Sequence, residues 1–388
     1  MAEIYKDDKL KIIAFYLPQF HSIEENDKWW GKGFTEWTNV KKAVPLYAGH
    51  DQPRIPLNDN YYNLLNDDTK IWQANLAKKY GVYGFCYYHY WFKGKKLLEK
   101  PAEQMLKNKS IDLPFCFCWA NENWSRNWDG GNREIIVKQD YGEKKDWEEH
   151  FQYLLTFFKD SRYITVNGKP LLVIYKPDLI NSIYEMVSYF KKRIVEEGFP
   201  GICLAFQFPT YYMDVFYRDD IFDYMIEFEP VFSRNNIVRH SSKKIEIVRK
   251  FFGEKMITKY RNSKNQLKHT FAKPHHLSMF FYDEAWEKIL NQKWNNKLLP
   301  GTFVDWDNTP RNKHGVVYSG FTIEKFEDNI KKLVKRAYQE NKPMLFINAW
   351  NEWGEGAYLE PDERYGYRKL ETIRSALDGD DHNGCENK

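Results

Sequence analysis

The 388-residue chain has no run of 18 or more apolar residues, so nothing in it reads as a membrane span. Its N-terminus, MAEIYKDDKLK, is charged and lacks the apolar stretch of a secretory signal. Cysteine is scarce: Cys86, Cys116, Cys118, Cys203 and Cys385, an odd number, with the first four inside apolar runs. That pattern counts against a disulfide framework and favours buried reduced thiols, hence a cytoplasmic location. Neither sign of charge dominates, since 58 Lys and Arg are interleaved with 54 Asp and Glu, so the footprint of a nucleic-acid binder is missing. The most basic segment, Arg239 to Lys273, reads as a solvated surface insertion. The first apolar run is followed by LPQFH and not by a GxGxxG turn, which counts against a dinucleotide-binding doubly wound sheet. Histidines show no metal-ligand spacing, and His275-His276 reads as surface loop, so neither metal nor cofactor is expected. No repeat and no interdomain linker is visible, which gives one domain over residues 1–377 and a polar tail from Asp378 to Lys388.

Aromatic residues, by contrast, are abundant. They make up 18% of the chain (14 Trp, 27 Tyr and 27 Phe), enough for a large core, a stacking groove, or both. Eight apolar runs recur: 11–17, 83–91, 114–120, 170–175, 201–208, 223–228, 302–306 and 344–350. Their moderate length suits parallel strands covered on both faces. Between them lie helical segments: one capped by Asp67 or Asp68 and ending before Gly81, Lys144 to Phe158, one with a Ser182/Glu185 capping box, and Ile323 to Glu340. Eight strands alternating with helices predict an α/β fold, a (β/α)8 barrel of TIM type. Such a barrel needs roughly 250 residues, so long βα loops are expected near 18–66, 121–145 and 229–300.

In that architecture the carboxyl ends of the strands share one mouth. They carry Tyr16, Gln19 and His21; His89, Tyr90 and Trp91; Trp119, Asn121, Glu122 and Trp124, with Trp128 and Asp129 beyond; Lys176; Gln207; Glu227 and Glu229; and Asp305. Ring faces pack on the C–H face of a pyranose, and amides and carboxylates bond its hydroxyls, so an oligosaccharide or polysaccharide is the expected partner. The last run exits into NAWNEWGEGAYLEP, with Glu352 and Glu355 set among Trp350, Asn351, Trp353 and Tyr358. Glycosidic chemistry generally needs two carboxyl groups, and these are the leading candidates. A two-residue strand period through Asn348, Trp350 and Glu352 aims Glu352 at the barrel axis, while Gly354 and Gly356 permit a turn that returns Glu355 to the same mouth. Asn351, His89 or Tyr16 are the expected hydrogen-bond donors to Glu352. Asp305-Trp306-Asp307 has the form of a metal-binding DxD but sits at a strand end, where a sugar-hydroxyl ligand fits better.

The stretches FYLPQFH, ENDKWWGKGFTEWTNV, YGFCYYHYWF, CWANENWSRNWDG and NAWNEWGEGAYLEPD together resemble the WbsX-type proteins of bacterial surface-polysaccharide loci. These share a domain similar to family 99 glycoside hydrolases, and the resemblance runs from about Lys11 to Tyr367. It implies a (β/α)8 barrel acting on glycans, often at α-mannose-type linkages. It also implies that Glu352 deprotonates the sugar 2-hydroxyl to form a 1,2-anhydro intermediate, and that Glu355 is the general acid/base, a retaining scheme. WbsX-type proteins are commonly labelled glycosyltransferases. Transfer in lipopolysaccharide or capsule synthesis, or binding by an inactive relative, are the alternatives.

Overall fold

The computed structural model describes residues 10–125, 134–214, 216, 220–240 and 277–379. Eight staves form the barrel: β1 (Lys11–Tyr16), β2 (Gly84–Phe92), β3 (Phe115–Trp119), β4 (Lys169–Ile174), β5 (Cys203–Phe208), β6 (Tyr224–Glu227), β7 (Leu298–Leu299 with Gly301–Phe303) and β8 (Met344–Asn348). Each pairs in parallel with its sequence neighbour, and β1 pairs with both β2 and β8, so Ala14 faces Phe85 on one side and Ile347 on the other. The stave β7 is split at Pro300, which has no N–H to donate. Its first segment pairs with β6 and its second with β8, giving nine parallel strand segments. Gly301 is required there, because a Cβ would lie 1.7 Å from the carbonyl oxygen of Glu227. This split is also why β7 begins four residues before the predicted 302–306 run.

The helices are α1 (Glu24–Trp30), α2 (Glu36–Lys42), α3 (Asp67–Lys79), α4 (Lys100–Lys107), α5 (Lys144–Phe158), α6 (Ile183–Glu196), α7 (Val231–His240), α8 (Tyr282–Asn291), α9 (Ile323–Gln339) and α10 (Arg368–Asp378). Apolar positions at helical spacing explain their inward faces: Phe326, Ile330, Leu333, Val334 and Ala337 of α9 are all buried. One predicted cap shifts, and the other holds its place without its side-chain bond. The cap of α3 is Asn66, whose side chain accepts from the Asp68 amide, and Ser182 starts α6 without a side-chain bond. The staves β3, β4 and β5 are almost wholly buried, as expected for a sheet covered on both faces. Cys86 of β2, Cys116 and Cys118 of β3 and Cys203 of β5 are buried free thiols. Among the described residues no helix is long and apolar enough to cross a membrane.

Candidate active site

Past Asn348 the chain leaves β8. Asn351–Glu352 pairs antiparallel with Ala357–Tyr358, and Trp353–Glu355 forms the short 3-10 turn between them. Gly356 closes that turn at φ 66, a left-handed conformation open to glycine at no steric cost. Asn351 fastens the hairpin to the exit of β1: its Oδ1 accepts from the Leu17 amide at 2.8 Å and its Nδ2 donates to the Leu17 carbonyl at 3.0 Å. The predicted destination of both glutamates is met by a different route from the one expected. The strand period stops at Asn348, and Trp350 turns away from Glu352 to donate its indole N–H to Glu360.

Glu352 and Glu355 both line a cavity of about 330 Å³ at the carboxyl end of the barrel. Its wall also includes Tyr88, Tyr90, Trp124, Tyr175 and Trp306 as rings, and Glu122, Asn123, Arg234 and Asn308 as polar groups. One guanidinium joins the two carboxyl groups. Arg311 places Nη2 at 2.7 Å from Glu352 and Nη1 at 2.7 Å from Glu355, while its Nε donates to Glu36 at 2.8 Å. Burial pushes the Glu355 carboxyl up to about 7; Arg311 pulls it down, and Glu352 and Glu36 push it further up. Gly354 is the point of closest approach, since a Cβ there would sit 1.7 Å from the Glu36 carboxylate and 2.8 Å from Arg311 Nε. Gly354→Ala is therefore expected to destabilise the fold by about 1–3 kcal/mol through overpacking, read as a lowered thermal midpoint.

The structure brings Tyr90, Glu122, Trp124, Glu352 and Glu355 together at this cavity. Lys176 stands beside it, ion-paired to Glu122. Gln207 is one shell behind and donates to the Tyr88 hydroxyl at 3.3 Å. The remaining predicted ligands are held elsewhere. Tyr16 is buried and donates to Gln73 of α3. His89, Trp91 and Trp119 pack outward under α5, where His89 shares a 2.9 Å contact with His150 and burial lowers its pKa to about 3. Strand alternation explains this split, because Tyr88 and Tyr90 point in and His89 and Trp91 point out. Neither Tyr16 nor His89 is the donor to Glu352; that role falls to Arg311.

Asn121 exchanges both amide bonds with the Lys176 backbone, clasping β3 to β4. Glu227 is buried against Trp294 on the outer face, and burial raises its pKa strongly. Glu229 accepts from the Ser233 amide and hydroxyl at the start of α7. Asp305 pairs with Arg54 at 2.8 Å, and Asp307 accepts from Gln52 and Thr309 and contacts His50, so the DxD carboxylates are committed to the loop after β1. Trp350 and Tyr358 are buried, Tyr358 stacking on Trp353 at 3.7 Å. Gln19 and His21 are fully buried and do not line the cavity. Trp128, Asp129, His275 and His276 lie outside the described residues. A second hollow of about 490 Å³, walled partly by Trp72, Tyr61 and Tyr367, reaches Glu360, but that carboxylate is already held by Trp350, Trp353, Tyr62 and Gln73. Tyr88, Arg311 and Glu36 belong to the arrangement around Glu352 and Glu355 although no sequence expectation singles them out. Period two from Tyr90 identifies Tyr88; no local pattern marks Arg311.

The family model described as "Glycosyltransferase WbsX" matches residues 12–373. Two curated proteins of Xanthomonas campestris pv. campestris, each called "Uncharacterized protein WxcX", are 36% identical, over 376 and 375 residues. The match covers 94% of this chain and 49% of theirs, so the chain spans about half the length of the curated relatives it matches. Among solved structures, the GH99 endo-alpha-mannosidase from Bacteroides thetaiotaomicron superposes with a TM-score of 0.54 at 13% identity, covering 96% of this chain and 97% of that one. A "Glycoside hydrolase-like protein" matches with a TM-score of 0.54 at 13% identity, covering 95% and 94%. At that identity the likeness establishes the shared barrel fold.

Proposed function

The chain belongs to the WbsX glycosyltransferase family, and from that premise we propose that it breaks or transfers a glycosidic bond with Glu352 and Glu355 as its working carboxyl groups. The observation that carries this is the convergence of both carboxyl groups on one arginine inside an aromatic-walled cavity. In this reading Glu355 protonates the departing oxygen and then takes a proton from water or an acceptor hydroxyl. Its carboxyl, pushed up to about 7, keeps a proton near neutral pH and suits that role. Glu352, held by Arg311, takes the proton of the sugar 2-hydroxyl as that oxygen closes on C1 and the glycosidic bond breaks, and returns it when water or an acceptor hydroxyl opens the anhydro ring. Rings such as Tyr90, Trp124 and Trp306 offer faces for the sugar. An α-mannose-type linkage or a bacterial surface polysaccharide is the substrate class this reading favours.

The family's description supports a second reading, transfer from a nucleotide sugar. The residues present fit that reading less well. The DxD pair that would hold a diphosphate-bound cation is engaged by Arg54, His50 and Gln52. A cytoplasmic location accords with the four buried free thiols.

The test is incubation with an α-mannan or capsular oligosaccharide in water, without any sugar donor. Reducing ends should appear, with kcat/KM falling as pH rises through about 7 because Glu355 loses its proton. Turnover only on addition of a nucleotide sugar would reverse the direction assigned here.

A further inference from the structure

We infer that Glu36 and Arg311 form a positioning pair that orients Glu352 and Glu355 and decides which of them carries the proton. The inference rests on the reading of those two glutamates as the working carboxyl groups, and it assigns a role to the FTEWTNV stretch of the loop after β1.

Glu36 opens α2 and is fully buried outside the cavity wall, so it acts through Arg311. A guanidinium presents its N–H groups in a rigid plane. Here one edge is anchored by Glu36, and the two terminal nitrogens are thereby aimed at Glu355 and Glu352. A lysine ammonium is a point charge on a flexible stem and could not fix three partners in that arrangement. Gly354 leaves the space in which the Glu36–Arg311 contact is made, so the same hairpin that carries the glutamates also admits their anchor.

Charge makes the arrangement selective as well as rigid. Three carboxyl groups surround a single cation, and burial disfavours the surplus negative charge. Burial raises Glu36 and Glu355 alike, and Arg311 lowers both. Among the described residues the groups facing Glu355 include Arg311, Glu352, Glu36 and Tyr175, with Glu122 and Arg234 on the same cavity wall, and those facing Glu352 include Tyr88 and Tyr90. Removing the cation favours the protonated form of Glu355, whereas removing the Glu36 charge favours the ionised form.

The test compares pH–rate profiles of Arg311→Lys, Arg311→Met and Glu36→Gln, together with a 13C NMR titration of labelled glutamate carboxyls, with Glu355 assigned by its loss in Glu355→Gln. Arg311→Lys should keep the alkaline limb in place while kcat falls about 10–100-fold from misalignment. Arg311→Met should move the limb up by about one pH unit, and Glu36→Gln should move it down by a similar amount. Profiles of Glu36→Gln and Arg311→Met that superimpose on the wild type, with only slower turnover, would overturn the inference and reduce the pair to a structural tie. Should the wild type turn over no glycan at all, the reading of function fails, and the NMR titration still decides whether Glu36 and Arg311 govern the Glu355 proton.

Discussion

Replacing Glu355 with Gln is expected to lower turnover of a natural glycan by about a hundred- to ten-thousandfold, the range supplied by a positioned general acid. The isosteric amide leaves the cavity shape intact and retains an oxygen for Arg311 at the 2.7 Å position, so the loss is chemical and not structural. Glu352→Gln should cost a comparable factor, since an amide cannot take a proton from a hydroxyl. The double variant should be little worse than either single one, because residues that act as a unit are strongly non-additive. Both losses should spare binding of the intact glycan, seen as an affinity for the inactive variants close to the wild-type KM. Undiminished rates in either variant would sink the assignment of these two carboxyl groups.

The second large effect concerns the fold around the site. Arg54 and Asp305 form a buried pair at 2.8 Å, with side-chain exposures of 8% each, and Arg54 also donates to the Gly356 carbonyl at 2.9 Å. This ties the loop after β1 to both the β7 exit and the hairpin that carries Glu352 and Glu355. Arg54→Met strands a buried carboxylate and is expected to destabilise the protein by about 3–5 kcal/mol. Burial already raises Asp305 despite its partner, so loss of the arginine should drive it to bind a proton. Replacing both partners, Arg54→Met with Asp305→Leu, should cost less than the single change, because no unpaired charge remains. Urea midpoints of the single and double variants measure the difference. A double variant less stable than Arg54→Met would show that the packing, and not the charge, matters at this position.

Much of this molecule is legible before any coordinates are seen. Runs such as PFCFCWA and PLLVIY are apolar on both faces, as strands of a parallel sheet covered on both sides must be. The limits of α5 were readable to the residue, since Lys144–Phe158 carries a clear amphipathic pattern. The polar strand ends were harder to sort. Polarity signals a demand for partners, and structural and chemical demands look alike in one dimension. Asn121, Asn351, Glu229 and Asp305 are polar because they clasp strands, start a helix or pair with an arginine. Period two would have separated Tyr88 and Tyr90 from His89 and Trp91, but it does not hold past Asn348, where the β8 strand ends.

The sequence by itself determined the alternation of strands and helices, the family, and the two glutamates after the last strand, because hydrophobic periodicity and a local motif are short-range properties of the chain. Only the tertiary structure decided what those glutamates face. Glu36 and Arg311 are separated by 275 positions and meet on Gly354 only once the barrel closes β8 against β1. A contact of that range leaves no periodic trace in the sequence, since its energy depends on burial and on charges that come together only when the barrel is formed.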